Sequence, residues 1–198
     1  MAVILVLAAL VFPVMGAAKR RADATDDIAK LHQIGLAATL YHEQNGSYPT
    51  TVSVLVDSNL ITHHAAVSRA DNYRLGMANE FIKGNPSATS KLTDYKRSYL
   101  GTSDIGIQPR AFNDQIQGQQ SAGWLIDILS LERPQGVGLA AMEGKYLRLL
   151  LDTSVQTKSL RKIEGKASNG ARKVSVSTFM LFCDPDPKTE EEWLKPLR

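Results

Sequence analysis

Few residues of this chain have the types and spacings that could do chemistry together. The polar cluster that most invites a chemical reading is Asp184-Pro185-Asp186-Pro187. Alternate carboxylates stiffened by prolines offer hard oxygen ligands, the kind calcium takes, but calcium prefers six or more oxygens and Asp184 and Asp186 supply too few. A rigid exit from a last strand is the stronger reading and a calcium site the weaker. His63 and His64 are adjacent, so their rings diverge on a helix or a strand and read as a surface pair. His32 and His42 read as solvated residues of one helix. The single cysteine, Cys183, reads as a small strand residue and has no histidines at ligand-like spacing for zinc. The G-x-G at Gly136-Val137-Gly138 lacks the helix and downstream acid that a nucleotide fingerprint needs. No G-x-S-x-G, H-E-x-x-H, P-loop or C-x-x-C is present. The expectation is a protein that is not an enzyme and carries no cofactor and no metal.

Bulk properties narrow the class further. The chain has 198 residues, with 23 Lys+Arg against 20 Asp+Glu for a net charge of +3. That is far from the charge density of a nucleic-acid-binding face, so no nucleic acid is expected as a partner. Much of the excess is Lys19-Arg20-Arg21, which reads as a membrane flank. With one cysteine no intramolecular disulfide can form, so the fold must stand on its core.

The elements that position everything else begin at the first residue. Met1 to Ala18, MAVILVLAALVFPVMGAA, holds no charged or hydrogen-bonding side chain. As a helix it spans roughly 27 Å against a hydrocarbon core of about 30 Å. Three readings compete: a cleaved export signal, a plain anchor, and the greasy half of a longer helix. The third is favoured because the helical pattern continues. Ala24, Ile28, Leu31, Ile34 or Gly35, Ala38 and Tyr41 recur at spacings of three and four on one face, with Asp23, Asp26, Asp27, Lys30, Gln33 and Glu43 filling the remainder. Pro13 predicts a kink or loosened turn, because it lacks the amide that would bond the Ala9 carbonyl. Gly46 and Pro49 predict a sharp end after Asn45, giving one helix of about 45 residues.

Val3 to Pro13 (VILVLAALVFP), the basic triplet, Ile28-Ala29-Lys30-Leu31 and the terminator Tyr41 to Pro49 (YHEQNGSYP) together resemble the N-terminal region of type IV pilins and type II secretion pseudopilins. The resemblance covers about the first 55 residues. It implies that Val3, Leu5, Leu7, Leu10, Val11, Phe12 and Pro13 belong to a membrane and assembly helix. Ile28, Leu31, Gly35, Ala38 and Tyr41 would pack that helix on a head, with Gly46, Tyr48 and Pro49 forming its turn. It further implies a structural subunit of a bacterial secretion or pilus-like filament. The partners would be further copies of itself, other pseudopilins, inner-membrane assembly proteins and the lipid bilayer. The family's basic leader, its cleavage glycine and its glutamate are not found at the head of this run; either they lie upstream of Met1, which the short span of roughly 27 Å favours, or the chain is a degenerate relative that the prepilin peptidase does not process. Lys19-Arg20-Arg21 alone predicts a cytoplasmic head by the positive-inside rule, whereas the resemblance implies a single pass of the inner membrane with a periplasmic head. The resemblance is preferred. The alternative function is a membrane-anchored or secreted binding domain that does not polymerise.

The remainder of the chain reads as the head, 19–198 including the amphipathic helix half 19–45, with 1–18 as the apolar half. A short helix is predicted within Thr50 to Ile61 on Val52, Leu55, Val56 and Leu60. Asp71 to Ser98 reads as a long surface connector with one helical turn near Leu75 to Ile82. Strands are predicted at Arg97 to Gly101, Gly123 to Leu131 and Val174 to Phe182, with a hairpin formed by Lys145 to Leu151 and Val155 to Ile163. A C-terminal helix begins at Glu190 to Glu192. The predicted class is α+β, a long N-terminal helix packed on a small antiparallel sheet in the manner of pilins.

Overall fold

A computed structural model of the chain describes residues 2–84, 88–105, 123–128, 144–160, 163–166, 172–175 and 182; for residues 2–13, 105, 144, 159–160, 163–166 and 172–175 it describes the backbone alone. Helix α1, Ala2–Asn45, runs without interruption through Pro13, so the locally loosened turn predicted there does not break the helix. At about 1.5 Å per residue its 44 residues extend roughly 66 Å. It ends as predicted: Gly46 adopts φ +72°, and its amide donates to the His42 carbonyl at 2.8 Å. That left-handed residue satisfies one of the last carbonyls, and the buried Pro49 follows it.

Helix α2, Val52–Asp57, is the short helix expected there. It ends in a Schellman motif in which Asn59 takes φ 57°, the Leu60 amide donates to the Leu55 carbonyl at 3.0 Å, and the Asn59 amide donates to Val56 at 2.9 Å. A 3-10 turn over His63–Ala66 and helix α3, Met77–Gly84, come next. Strands β1 (Leu100–Gly101), β2 (Gly123–Asp127), β3 (Gly144–Leu150) and β4 (Val155–Leu160) form one antiparallel sheet in that order. A second 3-10 turn, Thr102–Ile105, follows β1. Strands β5 (Ile163–Lys166) and β6 (Arg172–Ser175) pair as a separate antiparallel ribbon. The α+β class is therefore correct: a long helix and a four-stranded antiparallel sheet share one core.

Leu31, Ile34 and Ala38 of α1 meet Val52 and Leu55 of α2, Trp124 and Leu125 of β2, and Leu147 and Leu149 of β3. The predicted packing residues Leu31 and Ala38 are fully buried, while Ile28 and Tyr41 are partly buried against the same cluster. Both candidates at the ambiguous position contribute. Ile34 fills the core, and Gly35 lets the β3–β4 hairpin approach, since a Cβ there would lie 3.1 Å from the Thr153 Cβ and 3.2 Å from Leu149 Cδ1. Thr153 stands at φ 68°, a left-handed turn position that usually favours glycine. The turn is held by Asp152 Oδ1, which accepts from the Ser154 amide at 2.9 Å and its hydroxyl at 2.6 Å.

Two expectations need correction. Asp71 to Ser98 is no loose surface connector, because Asp71, Met77, Ala78, Asn79, Phe81, Ile82, Arg97 and Ser98 are buried. Polar side chains make this burial affordable by satisfying the backbone. Asp71 accepts from the amides of Tyr73 and Met77, both at 2.8 Å, and Asn79 Nδ2 donates to the carbonyls of Leu75 and Tyr95, both at 2.9 Å. The strand expected at Val174 to Phe182 also differs: Val174 and Ser175 close β6, whereas Phe182 is helical and fully buried, and 176–181 lie outside the described residues.

Candidate functional site

Two features of α1 distinguish it from an ordinary core helix. The first is its exposed beginning. Every described side chain from Val14 to Ala22 is exposed except the half-exposed Ala17, and Val14 and Met15 keep 67% and 62% of their surface. Nothing lies within 4 Å of where a Gly16 Cβ would stand. Among the described side chains, head contacts therefore start after the basic triplet, and Val14 to Ala22 stand clear of the described head as an exposed rod. The backbone at Val3, Leu5, Leu7, Leu10, Val11, Phe12 and Pro13 is helical and continues that rod.

The second feature is a polar clasp on the buried face. Asp27 is fully buried; its Oδ2 accepts from the Ser68 hydroxyl at 2.6 Å and its Oδ1 from the Tyr99 hydroxyl at 2.9 Å. Ser68 is tied in turn, its amide donating to Ser98 Oγ at 2.9 Å, and the Ser98 hydroxyl donates to Asp71 Oδ2 at 2.6 Å. One turn along, Lys30 Nζ donates to the Val67 carbonyl at 2.8 Å and pairs with Asp26 at 2.8 Å. The clasp thus joins α1 to the segment after the first 3-10 turn and to the residue before β1. Burial pushes the Asp27 carboxyl above its ordinary range, opposed by the Ser68 and Tyr99 hydrogen bonds and by the Lys30 charge. Burial, then the charges of Asp127 and Asp27, push the Tyr99 hydroxyl strongly up, so it remains a donor. The Lys30 hydrogen bond holds Asp26 below its ordinary range.

Beside the clasp, Arg97 and Asp104 form an ion pair at 3.0 Å with both side chains inaccessible. Asp104 also accepts from the Ser90 hydroxyl at 2.5 Å and the Gly101 amide at 2.7 Å, which is the dense hydrogen bonding a buried pair requires. Burial raises the Asp104 carboxyl, against the attraction of Arg97.

The sequence-level candidates are not gathered into one pocket. Gly46, Tyr48 and Pro49 form the turn after α1, and Tyr48 stacks on His42 at 4.2 Å. His63 and His64 are exposed on their 3-10 turn, and His63 stacks on Tyr95 at 4.3 Å. Burial, followed by the charge of Asp57, pushes the Tyr95 hydroxyl up to about 12. His32 is exposed. Asp184, Asp186, Cys183, the Gly136-Val137-Gly138 turn and the expected C-terminal helix lie outside the described residues. Among the described residues, no group of three or more His, Cys, Asp or Glu could hold a metal ion.

Asp27 is the clasp residue that periodicity assigned to the polar remainder. Its spacing to Leu31, Ile34 and Ala38 is four, seven and eleven, which places it on the buried stripe. Among the described residues no helix is long and apolar enough to cross a membrane, and residues 2–13, whose side chains are not described, hold most of the apolar run. Comparison with protein-family models, curated proteins and solved structures gave no match.

Proposed function

We propose that the chain is a structural subunit of a bacterial filament of the pseudopilin or pilin kind, acting through assembly and not through catalysis. The observation that supports this reading most directly is the division of labour along α1. One unbroken helix carries a head on its second half, while the described part of its first half, Val14 to Ala22, is left exposed. An apolar run of this length is unstable in water and needs a lipid or protein environment. In this reading it rests in the bacterial inner membrane with the head in the periplasm, then packs against the same segment of neighbouring copies. Other pseudopilins and inner-membrane assembly proteins are its proposed partners. The clasp suits that role, because force applied along the rod must reach the head without peeling α1 from the sheet.

The test is polymer formation with topology read in parallel. Expressed with an assembly machinery, the chain is expected in sheared, sedimentable filaments, with the head degraded by protease added to spheroplasts. A head protected in spheroplasts, or a chain that stays a dispersed membrane monomer under those conditions, favours the non-polymerising anchored domain instead.

A further inference from the structure

Lys19, Arg20 and Arg21 follow one another on a helix, and all three are exposed. Successive residues step about 100° around the axis, so three of them cover an arc of roughly 200° and make a collar, not a stripe. A helix lying flat on a surface would keep its cations along one edge. A collar instead suits a helix that passes through a charged layer. The axial dimensions agree: Ala18 to Arg21 occupies about 6 Å of helix, and the polar layer on each side of a bilayer is about 5–7 Å thick. Val14 and Met15, exposed just before the collar, lie on the apolar side.

The sequence shows an acidic cluster immediately beyond, at Asp23, Asp26 and Asp27, which on its own would offset the three cations. The fold weakens that offset by pairing one of the three acids and drawing another inward. Asp26 is paired with Lys30 at 2.8 Å, and Asp27 is buried and held by Ser68 and Tyr99. Of these three acids, Asp23 is the one neither buried nor paired among the described residues, and it stays half-exposed beside the collar.

We infer that Lys19, Arg20 and Arg21 form a binding surface for anionic phospholipid headgroups of the leaflet on the head side, setting the depth at which α1 sits. This rests on the membrane reading of α1 given above and adds the lipid class and the residues. The attraction decays within a Debye length, about 10 Å at 0.1 M salt and about 3 Å at 1 M. Each cation at an anionic surface contributes roughly a fivefold preference, so three contribute on the order of a hundredfold at most.

The full-length chain carrying Cys183→Ser and Ala18→Cys, labelled with a fluorescent donor at position 18, is reconstituted in phosphatidylcholine vesicles. Traces of acceptor-labelled phosphatidylglycerol or phosphatidylcholine, matched in acyl chain, report the lipids near the collar. The expected result is enrichment of phosphatidylglycerol over phosphatidylcholine by several-fold or more, lost at about 1 M salt and lost in the Lys19→Gln/Arg20→Gln/Arg21→Gln variant. Equal energy transfer to both lipids in a chain that floats with the vesicles overturns the collar and leaves the membrane reading standing. Displacement of phosphatidylglycerol by inorganic phosphate at constant ionic strength identifies a site for the free anion and also overturns it. A chain that fails to float with any vesicle overturns the membrane reading and the collar together.

Discussion

Replacing Tyr99 by Phe isolates the clasp from the apolar core, because the ring that fills the space is retained and only the hydroxyl is removed. That hydroxyl donates to Asp27 Oδ1 at 2.9 Å with both side chains buried, so no water replaces it. A hydrogen bond to an ionised group contributes about 1.5–3 kcal/mol, and the carboxylate left with Ser68 as its hydroxyl donor is under-solvated. For a chain of this size about 1 kcal/mol corresponds to roughly 2–4 °C in Tm, giving an expected fall of roughly 3–12 °C at neutral pH. The loss should shrink in acid, where Asp27 is protonated and the bond is between neutral groups worth about 0.5–1.5 kcal/mol. Thermal and urea unfolding of the full chain in detergent, as a cycle of Tyr99→Phe, Asp27→Asn and the double variant, separates the pair from its surroundings. A coupling energy below about 0.5 kcal/mol, or a Tyr99→Phe variant as stable as the parent at neutral pH, refutes the clasp.

Other perturbations probe neighbouring parts of the same structure. Asp27 has its folded-state carboxyl raised above the ordinary 3.8 by burial, so its contribution to stability is full below that pH and is lost as pH rises through the raised value. The stability of the parent relative to Asp27→Asn should therefore decline from acid towards neutral pH, measured by urea unfolding across that range. Arg97→Met leaves Asp104 buried without its cation and should lower stability by about 3–5 kcal/mol, much of it restored in Arg97→Met/Asp104→Leu. Gly76 has φ +86° and a Cβ there would stand 2.2 Å from the Arg97 carbonyl oxygen, so Gly76→Ala should lower stability by about 3 kcal/mol or more. Gly46→Ala, at φ +72° with open space around it, should lower it by only about 1–2 kcal/mol in the same unfolding assay.

The parts legible in the sequence were those set by local chemistry. Gly46 and Pro49 marked the end of α1 because one residue must turn left-handed there and the other cannot restart a helix. The β3–β4 hairpin was legible from two strand-like runs flanking Asp152-Thr153-Ser154, and its turn even though Thr153 occupies a position that favours glycine. The buried stripe of α1 was legible at Leu31 and Ala38. What was hidden depended on tertiary partners. Asp27 reads as a solvated helix carboxylate until Ser68 and Tyr99, 41 and 72 residues away, are brought to it. The stretch Asp71 to Ser98 reads as surface because its polar composition gives no sign that Asp71 and Asn79 are spent inward on backbone groups. No spacing rule reports that use of a side chain.

Intersubunit cross-linking along the first half of α1 probes the filament reading most directly. Single cysteines at Val3, Leu5, Leu7, Leu10, Val11 and Phe12, in a Cys183→Ser background of the full chain, are oxidised in cells that express an assembly machinery. Helix-to-helix packing predicts covalent ladders beyond the dimer, with yield rising and falling at the three-to-four-residue period of a helix face. Monomers at every position, or a yield without that period, would contradict assembly through α1.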